Sequence, residues 1–152
     1  MTKRTTLTDE FLNEIVSSKR VESFLHDGPE ERKELSVFLT QRLDEKGLKK
    51  IDIIKAAQLN ETFGYQIFSG SRKPSRNYIL ALGLAMGLDV HDLRFALCCG
   101  DAGDLYAKNR RDAIIIFCAS HGYSLLQTDE ELYKHGEETI SDEGENCQRD
   151  AR

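Results

Sequence analysis

The chain is a succession of short apolar segments, most of them ended by a glycine and reopened by a residue that caps helices. That punctuation constrains the fold more than any other feature, because left-handed glycine closes helices while Asn, Asp and Ser open them. Gly47 ends a segment whose Leu35, Phe38, Leu39 and Leu43 share one helical face, and Asp27, Pro29 and Glu30 form a start signal ahead of it. Lys49 to Ala57 reads as a compact, mostly buried short helix, followed by a tight corner at Gln58, Leu59 and Asn60. Asn60 caps Glu61 to Phe68, which Gly70 closes, and Ser75 is placed to cap Asn77 to Met86, which ends at Gly87. Asp89, with Asp92 three places on, opens Val90 to Cys99, and Gly100 and Gly103 continue the punctuation. Three consecutive isoleucines, 114–116, would suit a strand in isolation. The capping box of Ser124 and Gln127 that follows Gly122 makes residues 112–120 a helix instead. An all-α fold is expected.

At 152 residues the chain has room for one ordinary domain with extra packing around it, not for a multidomain enzyme. Its longest apolar stretch, Tyr78 to Leu88, is too short to cross a bilayer, and the basic N-terminus runs into polar residues rather than an apolar signal core. No membrane partner and a cytoplasmic location are therefore expected. Cys98, Cys99, Cys118 and Cys147 include no C-x-x-C pair, so buried free thiols are expected rather than a disulfide frame or a zinc site.

The formal net charge of −5 argues against a nucleic-acid partner only until it is divided along the chain. Residues 47–76 carry +4, from Lys49, Lys50, Lys55, Arg72, Lys73 and Arg76 against Asp52 and Glu61, and every other part is acidic. A solvated surface could produce such a run by chance; a local basic face for phosphates is the alternative.

Four regions follow. Residues 1–34 form an N-terminal flank, with Phe11, Ile15, Val21 and Phe24 as an imperfect helical stripe over 9–24. Residues 35–93 contain the basic segment, 94–136 a helical extension packed on it, and 137–152 an acidic tail, expected to be mobile because Ile140 is its one large apolar residue. Superposing Gly87 on Gly122 also reveals a weak repeat of 35 residues, with 77–82 over 112–117 and 88–90 over 123–125. Both blocks read as helix, glycine, cap, helix; similar helical hairpins and a duplicated unit are equally consistent with it.

Two short helices joined by a tight corner, the second with polar positions at its start, make a helix-turn-helix. The run from Gly47 to Ser75 resembles the core of the Cro/phage-repressor (XRE-type) family. The likeness extends back to Leu35 and forward to Leu93, through Gly70-Ser71-Arg72-Lys73-Pro74-Ser75 and the apolar stretch at 80–93. The flanks resemble those of a less-described group of bacterial XRE-type regulators. The resemblance implies a lambda-repressor-like domain with additional N- and C-terminal helices, and a core between the two helices of Ile53, Ile54, Leu59 and Ile67. It also implies that Glu61, Thr62, Tyr65 and Gln66 face bases while Lys49 or Lys50 approaches a phosphate. Three positions depart from the family pattern: Gln58 where a corner glycine is common, Ile54 in place of a core alanine, and Gly64 at the central apolar position of the recognition helix. Gly64 is expected to permit a close helix contact, because Ile54 supplies extra volume.

Gln66 carries the amide that matches adenine N6 and N7, Thr62 can bond a base edge or a phosphate, and Glu61 can accept from cytosine N4. Tyr65 can touch a thymine methyl or a phosphate. Each is equally intelligible as an exposed or edge-packed helix residue. Asn60, Ser71, Arg72, Lys73 and Arg76 join Lys49 and Lys50 as expected backbone contacts, whereas Arg110 and Arg111 are expected to bridge the acidic helical body. The histidines are scattered, Cys118 and His121 lack an activating acid, and no phosphate-binding nucleotide loop is present. No catalytic residue, cofactor or metal is therefore assigned. The expected function is sequence-specific recognition of double-stranded DNA by a transcriptional regulator, a repressor, acting as a homodimer. The alternative is a protein-interaction or antitoxin-like module that engages a protein partner through its C-terminal helices or acidic tail.

Overall fold

The structure, a computed structural model, describes residues 12–13, 15–17, 19 and 34–141. The chain forms two compact units, 1–32 and 33–152. In the first, residues 12–13 and 15–17 are helical, with Leu12 and Val16 exposed. The rest of the expected 9–24 stripe, the start signal at Asp27 to Glu30, Cys147 and the tail beyond 141 lie outside the described residues.

In the second unit every regular element described is helical: α1 Leu35–Glu45, α2 Lys50–Ala56, α3 Glu61–Ser69, α4 Arg76–Ala85, α5 Val90–Cys99, α6 Arg110–Ser120 and α7 Leu125–Lys134. Glu34 is extended and occupies the N-cap of α1, so that helix does not run in from the Asp27 signal. All seven close alike. Two or three residues past the helix end an amide bonds back to the last turn, as Leu48 does to Leu43 and Leu59 to Ile54. The residue between is left-handed: a glycine at 47, 70, 87, 122 and 136, but Gln58 and Asp101 at the other two ends. Helix α5 ends at Cys99 as expected, with Gly100 at its C-cap at φ −89°, and the left-handed reversal falls on Asp101.

The helix starts are as specific. Asn60, Asp89 and Ser124 each accept the amide three residues on, and Gln127 returns the bond to complete the capping box. Asn109, which the glycine rhythm does not mark, caps α6 two residues earlier than expected. Ser75 sits at the N-cap of α4 without a side-chain cap bond.

A single apolar cluster runs from Leu35 to Ile140. Helix α4 lies at its centre, buried from Asn77 through Leu84, as an all-round apolar helix must be. It packs against α2, α5 and α7. Phe38 of α1 meets Phe95 of α5 edge to face at 4.9 Å, and Arg42 reaches Asp92 at 3.2 Å, so α1 is tied to α5 by both apolar and charged contacts. The first residues of the expected acidic tail pack on the helical body. Thr139 and Ile140 are buried, and Asp129 accepts bonds from the amides of Ile140 and Ser141 and from the Ser141 hydroxyl. Cys98 also corrects its expectation: it is exposed, whereas Cys99 and Cys118 are buried.

Candidate nucleic-acid interface

Helices α2 and α3 pack across a four-residue corner, Ala57 to Asn60. Ile53, Ile54, Leu59 and Ile67 are all buried there, which is the core expected between these helices. The close approach rests on Gly64. A Cβ at that position would lie 2.6 Å from the Ile54 side chain, a separation that real side chains do not tolerate. Ile54 and Gly64 are therefore one complementary pair: the branched residue fills the space the glycine leaves.

Burying Gly64, Ile67 and Phe68 turns Glu61, Thr62 and Tyr65 to solvent, on successive turns of one face. Gln66 is half-buried at the edge of that face. Asn60 uses its side-chain oxygen to accept from the Phe63 amide at 3.2 Å, leaving its NH2 group for another partner. Ser71 turns its hydroxyl back toward Ser69 and the Gln66 carbonyl at the end of α3.

The cations divide into two kinds. Lys49 is exposed and Lys50 half-buried, and neither forms an ion pair among the described residues. The Arg72 guanidinium lies over the Phe63 ring at 5.3 Å, and that ring meets Tyr78 edge-on at 4.7 Å. Arg72 is thereby held beside α3 rather than free in solvent. Lys73 pairs with Asp101 at 3.2 Å, but both side chains are largely exposed, and such a pair is worth only about 0–1 kcal/mol. It is easily exchanged for another anion.

Arg76 is a correction. Its guanidinium donates to the carbonyls of Gly103 (2.8 Å) and Asp104 (3.0 Å) and to the Asp112 carboxylate (3.0 Å), so it is committed inside the protein rather than offered to a phosphate. Arg110 and Arg111 behave as internal bridges. Arg110 bonds the His135 carbonyl and pairs with Glu137 at 3.5 Å, while Arg111 bonds the Glu138 carbonyl and Asn77. Arg76, Arg110 and Arg111 line a polar cavity of about 460 Å³ with Asp104, Asn109, Asp112 and Glu137, in which cations and carboxylates largely answer one another. Phe63 as a platform for Arg72, and Asp101 and Asp112 as acidic partners, were missed by sequence reasoning. The 35-residue register contained a signal for Asp112, since it aligns with Asn77 next to an arginine.

Cys118 and His121 are not brought together. His121 directs Nδ1 to the Phe117 carbonyl at 2.8 Å and stacks on its ring, while the Cys118 thiol is buried and pushed above its ordinary range by that burial, opposed by a bond with Thr128. Among the described residues no group of three His, Cys, Asp or Glu side chains could hold a metal ion, and no helix is long and apolar enough to cross a membrane.

In comparisons with known proteins, no family model, no curated protein and no solved structure matches the chain.

Proposed function

We propose that this chain is a double-stranded DNA-binding regulator of the helix-turn-helix kind, lambda-repressor-like in its 35–93 region, that represses transcription and has no enzymatic role. One observation carries the reading: the polar face of α3, with Glu61, Thr62 and Tyr65 exposed, is bordered by Arg72 stacked on Phe63 and by a weakly paired Lys73. A short helix offering hydrogen-bonding side chains, with cations beside it, matches what major-groove reading requires. Gln66 and Thr62 would read base edges, and Lys49, Lys50, Asn60, Ser71, Arg72 and Lys73 would hold the backbone.

The test compares affinity for a duplex selected from a random pool with affinity for a scrambled duplex, at near-physiological salt. Equal affinities reduce the interaction to charge alone, and no binding even at low salt removes DNA altogether. Gln66→Ala should lose about 1–3 kcal/mol of discrimination at one base pair, whereas neutralising Arg72 and Lys73 together should weaken all duplexes alike and flatten the salt dependence. A Gln66→Ala profile identical to the parent's would show that Gln66 reads no base.

A protein partner is the second reading, favoured by Phe117, Leu126 and Tyr133, large apolar side chains left exposed on α6 and α7. Recovery of a stoichiometric partner from native extract, with function preserved after neutralising Arg72 and Lys73, would place it first.

A further inference from the structure

Arg76 and Arg111 stand 35 residues apart, in the register that aligns Gly87 with Gly122, and their bonds correspond one by one. The Nε of Arg76 donates to the Gly103 carbonyl at 2.8 Å, and the Nε of Arg111 donates to the Glu138 carbonyl, 35 residues further on, also at 2.8 Å. Each arginine then crosses to the other hairpin. Arg76 reaches Asp112 and Arg111 reaches Asn77, both at 3.0 Å, and residues 77 and 112 are themselves equivalent in the register. A simple translational repeat would send Arg111 onward along the chain; it goes back instead. Contacts of the form i to j and j to i define a twofold relation. Helix packing obeys the same rule, α4 against α7 and α5 against α6, and Leu105 and Ile140 are buried at matching positions after the two hairpins.

We propose that residues 76–106 and 111–141 are two copies of one helical hairpin paired about a local twofold axis, the second serving as a built-in clamp on the loop that closes α3. Arg76 and Asp112 are its positioning residues. This rests on the DNA-binding reading, because the clamped loop carries Arg72 and Lys73. Arg76 begins α4 immediately after that loop, and the segment that holds it, 101–112, also supplies Asp101 to Lys73. Segment 101–112 thus fixes the C-terminal end of the loop through Arg76 and meets the loop again through the exchangeable Lys73–Asp101 pair.

The deciding variant is Asp112→Ala in the full chain, probed with a labelled random-sequence duplex. Removing a negative charge should leave binding unchanged or tighter if Asp112 were a bystander. The clamp requires the opposite: weakening of at least about fivefold, the lower end of measured coupling between linked sites. The salt slope should be unaltered, and the amides of residues 71–73 should exchange faster with solvent. Asp112→Asn should bind within about twofold of the parent, since Arg111 already uses an amide oxygen at Asn77. Asp112 also accepts from the Tyr106 amide, so Arg76→Lys provides the check if Asp112→Ala fails to fold. Lysine keeps the charge but cannot make the forked contact, and should reproduce the loss. Parent-like affinity and loop exchange in either folded variant would overturn the clamp. If the parent binds no duplex at low salt, the DNA reading fails, and the clamp on the loop is judged by amide exchange alone.

Discussion

At residue 64 a side chain is excluded by one neighbour, which makes the spacing of α2 and α3 a matter of a single pair. Gly64→Ala gains about 1 kcal/mol of helix propensity but drives a methyl group into Ile54, and overpacking of this kind costs about 1–3 kcal/mol. Net destabilisation is the expected outcome of chemical denaturation. Combining it with Ile54→Ala should cost less than the two changes separately, because each relieves the other; strict additivity would show that the two residues do not constrain one another. Three departures from the repressor pattern, Gln58, Ile54 and Gly64, were visible as letters. The pairing of Ile54 with Gly64 was legible because lost and gained volume must balance across a packed interface. Gln58 was legible only as a substitution. The structure adds that it keeps the glycine's left-handed conformation, at φ 59°, which costs an L-residue about 1–2 kcal/mol. The commitment of Arg76 was not legible, since a cation beside a basic loop and a cation turned inward have the same sequence, and only its contacts with Gly103, Asp104 and Asp112 distinguish them.

Among the elements, the helix ends that local bonds decide are legible in the sequence. Local bonds within four residues decide the ends: Asn60, Asp89 and Ser124 act on amides three places away, and all are found doing so. The start of α1 at Leu35 carries no side-chain cap bond to mark it, and the order of the chain through Ser141 depends on distant contacts, which no local rule contains. Asp129 illustrates the second case. From α7 it receives the amides of Ile140 and Ser141, and so carries the fold past the point where composition turns acidic. Asp129→Ala leaves these amides without their acceptor, at about 1–3 kcal/mol. Faster amide exchange at 139–141 and a lowered unfolding midpoint are expected, with α1 to α3 retaining their protection; unchanged exchange at Ile140 would mean that its side-chain burial alone holds the segment.

Across the whole molecule, the apolar surplus of the C-terminal helices finds its use inside the chain. Segments 78–86, 90–99, 112–120 and 125–133 hold more hydrophobic material than a small helix-turn-helix core requires; α4 is buried from Asn77 through Leu84, and Leu93, Leu97, Ile115 and Leu132 are inaccessible. The two hairpins cover one another. What they leave outward is narrower: Tyr106 beyond α5, Phe117 half-exposed on α6, and Leu126 and Tyr133 seven residues apart, two turns along one face of α7. A recognition helix of the length of α3 would read only a few base pairs, so a long operator would require two of them related by a twofold axis. If the DNA reading holds, that outward face is the surface left for pairing, and two chains should assemble on one palindromic duplex. Sedimentation at micromolar concentration should then show twice the 17.3 kDa chain mass, and Tyr133→Glu should restore the single chain without changing its helicity. A 17.3 kDa species alone, both free and in a one-to-one complex with the palindromic duplex, would reject the dimer. The internal pair of hairpins would then be the only twofold element that the described residues use.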